Sequence, residues 1–261
     1  MNYSDLQSFG RLGLEYGFVY HKAFHWPTNQ VYVLESFISE CISGNGPEIR
    51  QQIEIFRHVD HPNVMKFVDS FDLGYDRIEL LLEFFDGKPL DQSCITDKQI
   101  LSKIAKQILR GLSYLHKRRI AHKGIKPLSL FMDSRHKVKI TGFVASNIEG
   151  SVPYMSPDYL SGNGDLWGFG ITMLAIYMGK LPHSLKERDW ASFMLAILKS
   201  PPPEASLSAS GEFRDFIGCC LQKEATRRLT AEQLLQHPFI LRSETNDDDQ
   251  ARSHTESCGF N

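Results

Sequence analysis

The hydrophobic pattern of the chain changes near residue 86, and this change constrains the fold more than any other feature of the sequence. Before it, short apolar and β-branched runs between turn residues predict strands at 17–20, 31–34 and 78–82. After it, apolar residues recur at spacings of four and three, which places them on one helical face: Ile100, Ile104, Ile108, Leu112 and Leu115. A strand-rich part followed by a helical part predicts an α+β protein with two lobes.

Further elements can be assigned within each part. In the first, residues 47–57 carry apolar side chains at helical spacing after a proline, which predicts a helix between strands. In the second, short strands are predicted at 130–132 and 138–140, and an apolar helix begins at Asp165. The end of the chain is polar and rich in aspartate, so we expect it to be disordered. The predicted boundaries are a first lobe, a second lobe and a tail: 1–86, 87–242 and 243–261.

The composition argues against several classes of function. With 261 residues, of which 42% are hydrophobic and 23% are charged, the chain is long enough for a large globular core. A net charge of −2 argues against nucleic acid or an acidic membrane as the main partner. The most apolar run, 166–178, is too short to span a bilayer, and no signal peptide is visible. We therefore expect a soluble protein of the cytoplasm or the nucleus.

The five cysteines indicate a reducing compartment. Their number is odd and their spacing matches no metal site, so we expect neither a disulfide framework nor a bound metal. Cys219 and Cys220 are adjacent in an amphipathic helical stretch, where we interpret both as buried thiols.

Six motifs occur in the order and at the spacing that protein kinases show. They are HPNV at 61–64, HKGIKPLSL at 122–130, VKITGFV at 138–144, YMSPD at 154–158, GDLWGFG at 164–170, and the closing segment from RRLT to HPFI at 227–240. Over residues 5–240 the chain therefore resembles a protein kinase domain, and 189–191 and 212–216 are most similar to plant-type MAP kinase kinases, which are dual-specificity enzymes. The resemblance implies a bilobal kinase fold, with an antiparallel β N-lobe that contains helix C and a mainly helical C-lobe.

The glycine-rich loop that covers the phosphates of ATP in kinases is altered in this chain. Aligned on Gly17 and Val19, the first two glycines of the family pattern are replaced by Leu12 and Leu14. Glycine lets backbone N–H groups approach a phosphate closely, and leucine side chains hinder that approach. We interpret the segment as an ordinary β-turn.

The cation that pairs with phosphate is also replaced. The resemblance places Glu35 at the position of the lysine on the third strand, Val33 at that of an alanine that packs on adenine, and Gln52 at that of the helix C glutamate. A cation about 4 Å from a phosphate charge contributes roughly 4 kcal/mol at an effective dielectric near 20, and a carboxylate repels by a similar amount. Glu35 and Gln52 can still share a hydrogen bond, which predicts a docked helix C.

The catalytic and metal-binding side chains are missing as well. Gly124 replaces the aspartate that orients the attacking hydroxyl, and Ser129 and Gly142 replace the asparagine and the aspartate that hold magnesium. Lys126 is retained, and we interpret it as a solvated or locally paired lysine. The nearest spare carboxylate, Asp133, is predicted in a turn that lies too far away to recruit Mg²⁺.

The segment that follows is shorter than in the family. Residues 145–149 alone separate Val144 from Gly150, so the resemblance implies an activation segment without room for a regulatory phosphorylation site. Ser151 corresponds to a family threonine that we interpret as a structural hydroxyl.

Residues that stabilise the fold are better retained than those that catalyse. The resemblance implies that His122 stacks on Phe143, that Asp165 caps the backbone of the catalytic loop, and that Asp158 and Arg228 form a buried ion pair. The chain is thus predicted to fold as a kinase without being able to act as one.

These residues predict a catalytically inactive pseudokinase that binds no ATP, magnesium or other metal. It would be a monomer and act as a scaffold or competitor among the protein kinases of a MAP kinase cascade. Two alternatives stay open at this point. One is residual or unusual kinase activity, with phosphoryl transfer from ATP to Ser, Thr or Tyr of a MAP kinase. The other is a degenerate product without a function.

Overall fold

The computed structural model describes residues 1–15, 18–37, 46–74, 77–142, 151–158, 164–182 and 190–242. Its first lobe is a five-stranded antiparallel sheet in the order β1-β2-β3-β5-β4. The strands and the α-helix that the structure describes in this lobe are β1 Leu6–Glu15, β2 Phe18–His25, β3 Gln30–Phe37, α1 Gly46–Phe56, β4 Phe67–Asp72 and β5 Ile78–Glu83. The predicted strands and the predicted helix are confirmed, and β1 and β4 are found in addition.

Strand β3 separates two apolar layers because its side chains alternate between the faces of the sheet. Tyr32 and Leu34 are buried on one face in a small cluster with residues of β2, β4 and β5. Val33 packs against the main core of the protein instead. By the same alternation Glu35 shares a face with Val33, so its carboxylate is directed toward the main core and not toward the outer cluster.

The second lobe is mainly helical and carries a small three-stranded sheet in the order β6-β7-β8. Its elements are β6 Lys88–Pro89, α2 Lys98–Lys117, β7 Leu130–Met132, β8 Val138–Ile140, α3 Asp165–Met178, α4 Trp190–Lys199, α5 Gly211–Cys220 and α6 Ala231–Leu235. The two short strands and the helix that begins at Asp165 were predicted at these positions. No helix in the described ranges is both long and apolar enough to cross a membrane.

Helix α2 forms the centre of this lobe. The side chain of Asp97 accepts a hydrogen bond from the Ile100 amide at 2.8 Å, which caps the amino-terminal end of the helix. The predicted apolar face is buried: its four members after Ile100 are completely inaccessible to solvent, namely Ile104, Ile108, Leu112 and Leu115. This face packs against β8, α3 and α6 and thereby supports the loops that follow it.

The two lobes are joined by backbone hydrogen bonds between the loop after α1 and strand β8. The Met65 amide donates to the Ile140 carbonyl at 2.8 Å, and the Ile140 amide donates to the Asn63 carbonyl at 2.9 Å. The side chain of Asn63 also donates to the Val138 carbonyl at 2.9 Å. Nearby, the buried Lys139 forms an ion pair with Glu83 at the end of β5. We call residues 61–65 the interlobe loop.

Candidate functional site

Glu35 is the charged residue that β3 places at the junction of the lobes. It is 3% exposed, and its Oε1 accepts a hydrogen bond from the Tyr20 hydroxyl at 3.1 Å. Tyr20 lies directly opposite Glu35 in the antiparallel pairing of β2 with β3. The predicted hydrogen bond with Gln52 is not found, although both residues lie in described parts of the chain. Tyr20 on the adjacent strand can reach Glu35 because side chains that are paired across a sheet are about 5 Å apart.

The hairpin of β1 and β2 occupies the position of the glycine-rich loop. Leu12 is 47% exposed on β1, and Leu14 is paired with Val19 across the hairpin. Gly17 lies outside the described residues, so the predicted turn is not described. Val33 is partly buried and packs on the main core. The hairpin thus continues as paired strand up to Glu15 on one side and from Phe18 on the other.

Asp165 organises the loop between α2 and β7. Its carboxylate accepts hydrogen bonds from the backbone amides of His122 at 2.8 Å and of Lys123 at 2.7 Å, and His116 Nε2 lies 2.8 Å away. Burial opposes the ionisation of Asp165, but the hydrogen bond with His116 and those from the backbone hold the pKa of the carboxyl below its usual value. The predicted cap of the loop by Asp165 is confirmed.

Ser129 closes a turn in this loop with its own hydroxyl. The Oγ accepts a hydrogen bond from the Lys126 amide at 3.0 Å and donates one to the Lys126 carbonyl at 2.8 Å. The Ser129 Oγ, which replaces the metal-binding amide oxygen of the family asparagine, is therefore already hydrogen-bonded to the backbone of Lys126. Lys126 itself is 7% exposed, which rules out the solvated alternative of its interpretation and agrees with the locally paired one.

The three altered positions of the metal and catalytic site converge in space. A Cβ atom placed on Gly124 would lie 4.0 Å from the Gly142 carbonyl oxygen, and one placed on Gly142 would lie 3.7 Å from Ser129 Cβ. Gly142 has a φ of +85°, which L-residues rarely adopt. Asp133 caps the turn between β7 and β8 by accepting from the amides of Arg135 and Lys137, as predicted.

His122 is buried beside these positions and is held in one tautomer. Its Nδ1 accepts from the Gly124 amide at 3.2 Å, so the proton lies on Nε2, which donates to the Thr141 carbonyl at 3.0 Å. Burial lowers the pKa of the His122 imidazole. The predicted stacking partner Phe143 lies outside the described residues, as does the short activation segment up to Gly150.

The predicted ion pair of Asp158 and Arg228 is confirmed. Arg228 Nη2 donates to Asp158 Oδ1 at 2.7 Å, and the two side chains are 2% and 18% exposed. The guanidinium also donates to the Gln222 carbonyl and lies 5.7 Å from the ring centre of Trp167. Ser151, which we interpret as a structural hydroxyl, is buried, and its Oγ has no hydrogen-bond partner among the described residues.

A second group of polar side chains was not anticipated. Asp215, Cys219 and His237 bring potential metal ligands within 4.8 Å of one another. The spacing of four between Asp215 and Cys219 on α5 is the sequence signal that could have shown part of it. His237 Nδ1 accepts from the Phe239 amide at 3.1 Å, so Nε2 carries a proton and donates to Asp215. A ring in this state has no free lone pair for a metal, and the cluster is structural.

The thiols of α5 agree in part with their prediction. Cys220 is buried, and burial raises the pKa of its thiol well above the usual value. Cys219 is partly exposed, so its interpretation as a buried thiol is wrong. It lies on the side of the helix that carries Asp215, one turn away, at the edge of the core.

The fold agrees with comparison to known proteins. Residues 10–240 match the family described as "Protein kinase domain", and the chain belongs to this family. It is similar to Mitogen-activated protein kinase kinase 7 of Arabidopsis thaliana, with 34% identity over 92% of the chain and 86% of that protein. It is also similar to kinases 9 and 8 of the same series and organism. Their identities are 34% and 32%, over 90% and 91% of the chain and 84% and 83% of the relatives.

Proposed function

We propose that this MAP kinase kinase-like domain is a pseudokinase, which acts by binding other proteins and not by transferring phosphate. The observation that carries the proposal is the buried carboxylate of Glu35, held by Tyr20 where the family pattern has a cation for phosphate. A buried carboxylate at this position repels the triphosphate, and its desolvation means that water screens the repulsion weakly.

The loop positions support the same proposal. Gly124 and Gly142 offer no side-chain oxygen, and the Ser129 hydroxyl is engaged by the backbone of Lys126. Magnesium takes oxygen ligands from carboxylates and phosphates in near-octahedral geometry. With no carboxylate at these converging positions, a metal ion would have to be held by the nucleotide alone.

The surface of the helical lobe is the part through which such a protein would act. The relatives are named MAP kinase kinases, so kinases of a MAP kinase cascade are the proposed partners. The domain would bind them as a monomeric scaffold or competitor in the cytoplasm or nucleus. Its framework for this role includes the buried pair of Asp158 and Arg228 and the loop cap by Asp165.

Millimolar ATP with magnesium is expected to leave the melting temperature of the protein unchanged. A ligand at about 100 times its dissociation constant would stabilise the fold by roughly 2.7 kcal/mol and raise the melting temperature by several degrees. The measurement is a thermal-shift titration with ATP, with and without Mg²⁺, beside a catalytically active MAP kinase kinase as control. A clear magnesium-dependent rise for this protein would contradict the proposal.

Restoring one aspartate is expected to leave phosphorylation of a MAP kinase at background. Gly124→Asp still has no metal site, and Gly142→Asp still has the repulsive Glu35; the second variant also places a side chain at a positive φ, which aspartate tolerates better than most residues. Incorporation of labelled phosphate is the readout, and each variant is first checked for a normal melting transition. Activity well above background in either variant would show that the other altered positions still allow ATP binding and phosphoryl transfer, which would contradict the proposal.

A further inference from the structure

Helix α2 carries a row of basic side chains on the side that faces away from the core. Between Lys98 and Lys117 the helix has five lysine and arginine residues and neither aspartate nor glutamate. Lys103, Lys106 and Arg110 follow one another at spacings of three and four, so they share one side of the helix. Like charges four residues apart destabilise a helix, so helix stability does not account for this pattern.

The turn between β7 and β8 brings two more cations to this side of α2. Gln107 lies in the same row, and its side chain donates to the His136 carbonyl at 2.7 Å and accepts from the Val138 amide at 2.9 Å. These bonds hold the turn, with its exposed Arg135 and Lys137, next to the helix. We define the basic face by six cations of α2, of its carboxyl-terminal cap and of this turn: Lys103, Lys106, Arg110, Arg118, Arg135 and Lys137.

The cations of the basic face are close enough to shift neighbouring pKa values. Burial lowers the pKa of the Lys106 ammonium, and the charge of Arg110 lowers it further. Burial also lowers the pKa of the His61 imidazole, and positive charges that include Arg110 and Arg118 add to this effect. His61 lies against Tyr114 of α2, with ring centres 4.9 Å apart, and the Arg118 guanidinium lies 3.7 Å from the centre of the Tyr114 ring. The face therefore has a positive potential over several turns of the helix.

Acidic side chains offset little of this charge. On residues 60–61, on α2 and on the turn between β7 and β8, the carboxylates are Asp60 and Asp133. Asp133 accepts from the backbone amides of the turn that it caps, and Asp60 lies 3.9 Å from Lys66. The whole chain has a net charge of −2, so the basic face reflects a separation of charge within the chain and not an excess of basic residues. Such a face favours an anionic occupant.

The last described residues run beside the amino-terminal part of α2. Ser102, which directly precedes the basic face, donates its hydroxyl to the Phe239 carbonyl at 3.0 Å. Arg242 donates to Glu212 at 2.7 Å, and the other carboxylate oxygen of Glu212 pairs with Lys98 in the first turn of α2. Residue 242 therefore lies next to the start of the basic face.

The sequence that follows is complementary in charge. It has four carboxylates within seven residues of Arg242, namely Glu244, Asp247, Asp248 and Asp249. We propose that this acidic segment, 244–249, binds the basic face of the same chain. Seven residues reach up to about 25 Å, and the helix from Lys103 to Arg118 measures about 22 Å, so the segment can extend along the whole row. The inference goes beyond the proposed function and holds whether or not the domain transfers phosphate.

Carbodiimide crosslinking of the full chain tests the contact, because it joins a carboxylate to a lysine where the two touch. Mass spectrometry of the monomeric fraction is expected to show crosslinks from the acidic segment to Lys103, Lys106 and Lys137. Few are expected to Lys180 and Lys199, which are exposed after α3 and at the end of α4. At 1 M sodium chloride, where the Debye length is about 3 Å, the yields on the basic face should fall to those of the two control lysines. Equal yields on all five lysines at low salt would overturn the proposal.

Exchanging the charges is a sharper test. Lys103→Glu with Lys106→Glu should also remove the crosslinks to the rest of the basic face, because the acidic segment is no longer attracted. Adding Asp247→Lys, Asp248→Lys and Asp249→Lys should restore crosslinks, now between the two exchanged sets of positions. If the fully exchanged protein melts normally and these crosslinks do not return, the proposal is wrong.

Two further variants keep the test decisive if the exchanged face does not fold. Lys180→Glu with Lys199→Glu makes the same change of charge away from the basic face and should retain the crosslinks of the wild type. Replacing the same three aspartates by asparagine alters no described residue, and it should reduce the crosslink yield of Glu244 to the level seen at 1 M salt. An unchanged yield from Glu244, or an equal loss in the control pair, would refute binding of the acidic segment to this face.

Discussion

Replacing Asp158 by alanine is expected to lower the free energy of unfolding by about 3–5 kcal/mol, because it leaves the buried guanidinium of Arg228 without its carboxylate. Arginine cannot lose its proton to escape this penalty. The two hydrogen bonds from Arg228 to the Gln222 carbonyl remain, but a carbonyl carries no compensating charge. Urea-induced unfolding of the wild type and the variant measures the difference.

The neighbouring pair of Arg227 and Glu224 is a matched control. Its nitrogen and oxygen are also 2.7 Å apart, but the two side chains are 71% and 62% exposed. Glu224→Ala should therefore change the free energy of unfolding by less than about 1 kcal/mol. Adding Arg228→Met to Asp158→Ala should recover part of the loss, since the unpaired charge is removed. If Asp158→Ala and Glu224→Ala lowered the free energy of unfolding equally, the larger contribution that we assign to the buried pair would be wrong.

Asp165→Ala is also expected to lower the free energy of unfolding by about 3–5 kcal/mol, but for a different reason. The side chain is 4% exposed and accepts hydrogen bonds from two backbone amides, which the substitution leaves without this acceptor. Each buried donor left without an acceptor costs roughly 1–3 kcal/mol. Chemical denaturation is the measurement, and Asp60→Ala, at a side chain that is 81% exposed, should stay within about 0.5 kcal/mol of the wild type.

The contribution of the ionised Asp165 side chain to the free energy of unfolding should decrease at acidic pH. Because the folded pKa of this carboxyl is lowered, its ionisation stabilises the fold at all pH values above the unfolded pKa of about 3.9. That contribution is lost as the pH falls through the lower, folded pKa. The stability difference between the wild type and Asp165→Asn should therefore shrink as the pH falls below about 4. A difference that grows below pH 4 would contradict the assigned charge.

The features that the sequence predicted correctly are those with a local pattern or a fixed place in a family motif. The apolar spacing on α2 depends on helical periodicity alone, and Ile104 to Leu115 are buried as expected. The Asp165 cap and the pair of Asp158 with Arg228 depend on motif positions. Each joins residues far apart in the chain, and without the kinase resemblance neither could have been predicted.

The details that the sequence did not predict depend on register and packing. One partner of Glu35 is Tyr20, and this hydrogen bond follows from the pairing of β2 with β3, which the strand pattern alone leaves open. The Ser129 hydroxyl turns back to the Lys126 backbone, which is a choice of rotamer. The unpartnered hydroxyl of Ser156 arises from tertiary packing, and no sequence motif marks it.

The hydrogen bonds of the interlobe loop have a consequence for how the chain folds. Residues 61–65 belong to the first lobe in sequence, yet the Met65 amide finds its acceptor on Ile140 and Asn63 finds one on Val138, both in β8. One apolar core also includes Ile53 of α1 together with Leu112 of α2. A fragment ending at residue 86 would lose these acceptors and expose that core. The first lobe therefore depends on the second for part of its hydrogen bonding and its core, and we expect it not to fold as an autonomous module.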